Sequence, residues 1–99
     1  MLKGKQKRQL RALAHHLTPI FQVGKSGVNS EMVQSIRDAL EKRELLKVSI
    51  LQNCEEDKDE VAKVLSERTL SELVQVIGHT IVLYKQSLKE KYRKIELVK

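Results

Sequence analysis

Between Val23 and Val28 the sequence reads Gly24, Lys25, Ser26, Gly27, a tetrapeptide whose residue types suit an anion. Two glycines remove side chains that would hold a phosphodiester away from the backbone amides, Lys25 adds a charge, and Ser26 adds a small hydrogen-bonding group. Loops of this composition clamp nucleotide backbones. An ordinary strand-to-helix turn also uses glycine, for positive φ, so the tetrapeptide alone does not decide between the two. Its Gly-Lys-Ser spelling can be tested against the phosphate loop of nucleotide hydrolases, which needs another glycine five residues upstream. Pro19 stands there instead, and the intervening residues read as strand, which makes a hydrolase the weakest of the functional readings.

Other chemistry is poorly supplied. His15, His16, His79 and the single Cys54 show neither HxxxH nor CxxC spacing, and adjacent histidines on a helix point about 100° apart, so no metal site is expected. No Ser or Cys sits in a nucleophile signature, and the acidic run from Glu55 to Glu60 lacks the glycine and spacing of a calcium loop. The expectation is a protein that is not an enzyme, with no cofactor and no small-molecule substrate. Phe21, Tyr84 and Tyr92 are the only aromatics of their kind, too few for a base-stacking platform, which favours backbone contact over base readout. Phe21 and Tyr84 are expected in the core.

The elements that must carry these residues follow from periodicity. Leu10, Leu13, Ala14 and Leu17 recur at helical spacing from Lys5 to Leu17, with Lys5, Lys7, Arg8, Arg11 and His15 assigned to the opposite arc. Pro19 ends that helix, and Ile20 to Val23 reads as a strand that delivers the glycine loop. Asn29 or Ser30 caps a second helix with Met32, Val33, Ile36, Ala39 and Leu40 inward, fading near Arg43. Residues 45 to 51 alternate as a strand with Leu46, Val48 and Ile50 buried. Asn53 and Glu56 have capping-box spacing ahead of a third helix that ends near Thr69. Leu73 to Ile77 and Ile81 to Tyr84 form a hairpin about Gly78 and His79. The expected class is α/β, ordered α-β-α-β-α-β-β, a single-layer sheet with packed helices in one domain over 1–85. Residues 86–99 form a basic C-terminal tail in which Leu88, Tyr92 and Ile95 mark either a further helix or a docking segment.

The 99 residues carry a net charge of +6, which attracts polyanions. Residues 1–27 contain Lys3, Lys5, Lys7, Arg8, Arg11 and Lys25 without an acid, whereas Glu55, Glu56, Asp57, Asp59, Glu60, Glu67 and Glu72 crowd residues 55–73. This predicts a basic end that meets the polyanion and an acidic end that is repelled. No apolar run approaches the roughly 20 residues of a membrane span, and no secretory leader opens the chain, so a cytoplasmic protein is expected.

Taken together, KGKQKRQLRALAHHLTPIFQVGKSGVN, ELLKVSIL and VQVIGHTIVLYK resemble the CRM domain in its stand-alone, bacterial YhbY-like form, over about residues 2 to 85. The resemblance implies a fold like the C-terminal domain of bacterial translation initiation factor three. It implies RNA binding through Gly24, Lys25, Ser26 and Gly27 and a basic helix that includes Lys5, Arg8 and Arg11. The partners it implies are ribosomal RNA or pre-large-subunit particles, for a protein acting in large ribosomal subunit assembly and expected as a monomer. In the final hairpin His79 stands where lysine, arginine or asparagine is more usual and Lys85 where arginine is common, and both join the expected contact set. The alternative is a protein-interaction module that recruits a ribosomal protein or assembly factor through the acidic helix or the sheet edge.

Overall fold

A computed structural model describes residues 2–99. The order of elements is α1 (Gly4–Ala14), β1 (Phe21–Val23), α2 (Ser30–Arg43), β2 (Leu45–Ile50), α3 (Lys58–Arg68), β3 (Glu72–Ile77) and β4 (Thr80–Tyr84), followed by a 3-10 turn at Glu90–Tyr92. The expected α/β class and element order are therefore what the structure has. The four strands lie in the order β1-β2-β4-β3. β1 runs parallel to β2, with Phe21 opposite Val48, and β4 pairs antiparallel with both β2 and β3.

Both faces of the sheet are buried. Leu46, Val48, Ile50, Ile81 and Leu83 meet Ile36 and Leu40 of α2 and Val61, Ala62 and Leu65 of α3 in the larger core. Leu45, Val74, Val82 and Tyr84 point the other way, onto Leu10 and Ala14 of α1, with Leu2, Ile95 and Leu97 closing the side. The strand period of two divides β2 and β4 between these layers, so Leu45 and Leu46 are both core residues on opposite faces.

Several boundaries differ from expectation. α1 stops at Ala14, and the apolar stripe is only half used: Leu10 and Ala14 are buried, while Leu13 is 43% and Leu17 37% exposed. The chain leaves the helix in a turn, with the Leu17 amide on the Ala14 carbonyl at 2.9 Å, before it crosses to β1. α2 follows expectation, its Asn29 Oδ1 accepting the Met32 amide at 2.9 Å. Asn53 does not cap α3. The Cys54 amide closes a turn on the Leu51 carbonyl at 3.0 Å, and Asp57 Oδ2 caps the helix by accepting from Asp59 and Glu60 at 3.2 and 3.4 Å. The loop from Leu51 to Asp57 is spent turning from the end of the sheet back over its face, which delays the helix by one turn.

The tail is a docked strap. Glu41 Oε1 accepts the Ser87 hydroxyl at 2.7 Å and the Leu88 and Lys89 amides at 2.8 and 3.0 Å. Glu44, fully buried at the end of α2 with φ of 64°, accepts the Ser87 amide on Oε2 at 2.9 Å and the Lys94 amide on Oε1 at 2.8 Å. Gln9 then pairs with the strap on both sides, donating to the Glu96 carbonyl at 2.8 Å and accepting from the Val98 amide at 2.8 Å. Of the three residues marked in the sequence, Ile95 packs, Tyr92 is half-buried, and Leu88 is 78% exposed.

Candidate nucleic-acid interface

β1 ends at Val23, whose carbonyl accepts the Leu51 amide at 2.8 Å, and the glycine loop begins at that point. The Gly27 amide returns to the Gly24 carbonyl at 3.0 Å, which closes a tight turn and leaves Lys25 and Ser26 exposed at its tip. Among the described residues no acceptor takes the Lys25 or Ser26 amide, so the tip offers two donors beside a lysine. This is the arrangement that suits a phosphate oxygen.

The two glycines are not equivalent. Gly27 is buried with φ of 69°, and a Cβ there would run into the Glu56 carboxylate. Glycine there is favoured by the fold itself, because any side chain would strain this backbone. A Cβ on Gly24 would sit 3.5 Å from Asn53 Oδ1 and Leu51 Cδ1, an ordinary contact, so nothing internal demands glycine at that position.

Glu56 at the loop overturns the expected separation of a basic from an acidic end. Parallel strands leave a sheet at the same end. β1 therefore releases the glycine loop where β2 releases the segment with Glu55, Glu56 and Asp57, and the two chain regions become neighbours.

The helix cations lie on the α1 face of the sheet. Lys5, Arg8, Arg11 and His15 are exposed, as expected for the arc opposite Leu10. Lys7 is half-buried, because three residues before Leu10 it flanks the inward stripe and does not oppose it. Arg8, Arg11, Ala12 and His15 border a shallow depression completed by Gln75 and Ile77 of β3. α1 thus rises from the strap, where Gln6 donates to the Val98 carbonyl at 2.9 Å, toward the β3–β4 turn. That turn carries Gly78, with φ of 57°, and His79, whose carbonyl accepts the Ile50 amide at 2.7 Å. His79 borders a second depression with Leu51, Gln52 and Glu56, beside the glycine loop. The turn therefore stands between the helix cations and the loop.

Lys85 does not join them. It follows Tyr84, which pairs with Leu45 at the start of β2, and its amide bonds the Glu44 carbonyl at 2.8 Å. The length of β2, about 17 Å for its span, separates it from the loop end. Nearby, the Ser87 hydroxyl bond holds the Glu41 carboxyl below the ordinary carboxylate value, helped by the Lys89 and Leu88 amides and the Lys85 charge against a desolvation effect of opposite sign. The Tyr84 phenol is pushed up, by burial first and then by the Glu44 charge.

Gln75, Ile77 and Glu56 had no sequence signal as site residues, since each owes its place to a strand irregularity or a tertiary turn. Among the described residues there is no group of three His, Cys, Asp or Glu side chains that could hold a metal ion, and the His15 and His16 rings only meet edge to face at 5.7 Å. No described helix is long and apolar enough to cross a membrane.

Residues 2–85 match the model of the CRS1 / YhbY (CRM) domain. The chain is 66% identical over 91 residues to the probable RNA-binding protein YqeI of Bacillus subtilis, covering 92% of this chain and 95% of that one. It is 37% identical over 86 residues to an RNA-binding protein of Haemophilus influenzae, covering 87% of each. These names denote RNA binding and not a reaction. The solution structure of the hypothetical protein SAV1595 from Staphylococcus aureus superposes with a TM-score of 0.82 at 57% identity, over 99% of this chain and 100% of that one. With its sheet order, its glycine loop between β1 and α2, and these matches, the chain belongs to the CRS1 / YhbY (CRM) domain family, which is not a family of enzymes.

Proposed function

We propose that the chain is a monomeric, cytoplasmic RNA-binding protein that grips the phosphate backbone of structured RNA with the tip of the glycine loop and the outer face of α1. The observation that carries this is the pair of unclaimed amides at Lys25 and Ser26, exposed beside a lysine at the same end of the sheet as the turn that leads to Arg8, Arg11 and His15. Family membership and the names of the relatives supply the choice of RNA among polyanions. Ribosomal RNA in precursors of the large subunit is the target that the family resemblance favours, and the role is in subunit assembly without catalysis.

Lys25 is exposed, so Lys25→Glu should weaken binding to a structured fragment of large-subunit RNA while melting stays within about 0.5 kcal/mol of the parent. Unchanged affinity in that variant would remove the loop from the interface. Co-sedimentation of the tagged chain with precursor large subunits, lost in the same variant, tests the ribosomal target, and sedimentation with mature small subunits alone would refute it.

A further inference from the structure

Strand β3 is irregular where it passes α1. Leu73 pairs with Leu83 and Gln75 with Val82, so Val74 is an extra residue in the ladder. Such a bulge re-aims the side chains that follow it. Leu73 and Val76 pack in the larger core, Val74 fills the α1-side core, and Gln75 and Ile77 both emerge beside α1. With regular alternation Gln75 would share the face of Leu73 and carry its amide into the larger core, where an unmatched polar group is costly.

The bulge thus builds a mixed depression. Ile77, 58% exposed, and Ala12 give its lining an apolar part, and His15, Arg8 and Arg11 line it as well. Among the described residues the Gln75 side-chain amide has no hydrogen-bond partner, so it presents an adjacent donor and acceptor to the depression. A glutamine amide matches the N6 and N7 edge of adenine, and unpaired bases rest on histidine or guanidinium planes.

We propose that this depression is a nucleotide subsite for an unpaired adenine in the bound RNA. The Gln75 amide pairs with the base edge, Ile77 and His15 cover its faces, and Arg8 and Arg11 meet its phosphates. The inference rests on the RNA-binding reading above and adds base recognition to a surface otherwise suited to backbone alone.

The test uses the full chain and two hairpin RNAs of identical stem, one with an adenosine loop and one with the same loop abasic, so that the phosphates are equal. The parent should bind the adenosine loop roughly tenfold tighter, as one good base contact gives. Gln75→Leu should bring the adenosine-loop affinity down to the abasic one. Ile77→Ser, at an exposed position, should shrink the preference as well, and Lys25→Glu should weaken both hairpins alike. Equal affinity of the parent for the two loops, or a preference that survives Gln75→Leu, overturns the subsite. If Lys25→Glu changes neither hairpin while the adenosine preference persists, the loop is wrong and the subsite stands. Titration with adenosine 5′-monophosphate, followed by NMR, reads the site without any hairpin: shifts at the Gln75 amide and Ile77 methyls, together with His15, Arg8 and Arg11, support it, and unshifted Gln75 and Ile77 signals overturn it.

Discussion

Raising monovalent salt fourfold, from about 50 to about 200 mM, measures how many phosphates the surface neutralises, because each contact releases condensed counterions with a slope of roughly 0.7 to 0.9 in log–log form. The cations available are Lys5, Arg8 and Arg11 on the outer face of α1 and Lys25 at the loop tip, all exposed. Lys7 is half-buried and Lys85 lies at the opposite end of the strands, so neither is counted. Four contacts give a slope near −3 and a loss of affinity of roughly 50- to 150-fold over that interval. Fluorescence anisotropy of a labelled RNA hairpin at several salt concentrations supplies the slope directly. Lys25→Ala and Arg11→Ala should each flatten it by just under one unit, and Lys85→Ala should leave it unchanged. A slope shallower than −1 in the parent, or a Lys85→Ala effect as large as that of Lys25→Ala, would refute this placement of the interface.

The remaining expectations concern the fold that holds the site. Gly27→Ala should cost about 1 kcal/mol in thermal unfolding, because φ of 69° is strained for a side chain even after Glu56 swings aside, whereas Gly24→Ala should change stability by less than about 0.5 kcal/mol. Leu10→Ala should cost about 2 to 5 kcal/mol by denaturant titration, since Leu10 is fully buried between α1 and the sheet. Because the folded state holds the Glu41 carboxyl below its ordinary value of 4.5, its contribution to holding the strap is complete above that value and is lost as pH falls below it. Protection of the Leu88 and Lys89 amides, taken as exchange relative to the intrinsic rate at each pH, should fall in that acid range, and Glu41→Gln should abolish that fall.

Much of this protein could be read along the chain. The period of 3.6 across Val33, Ile36 and Leu40 and the period of two across Leu46, Val48 and Ile50 are local patterns, and the structure has the helix and strand they imply. Asn29 as a helix cap and the hairpin about Gly78 are likewise local, each set by one residue's backbone or hydrogen-bonding preference. Asp57 in place of Asn53 shows the limit of that logic, since two side chains can each start a helix and the path of the loop chose between them.

What the sequence by itself determined is the list of parts: an amphipathic basic helix, a glycine loop with a lysine at its tip, and the α-β-α-β-α-β-β order. Which parts meet was decided only by tertiary structure. Parallel pairing of β1 with β2 brought Glu56 against Gly27, although the two are far apart in the chain, and so mixed acid into the end that charge counting had read as purely basic. The bulge at Val74 turned Gln75 toward α1, and no pattern in Leu73 to Ile77 announces a residue that leaves the ladder. Glu41 and Glu44, unremarkable at the end of a helix, became the anchors of the strap because α2 ends where β4 does. The physical reason is common to all three: periodicity and capping act over a few residues, whereas electrostatic neighbours and side-chain direction depend on which strands lie side by side and in what register.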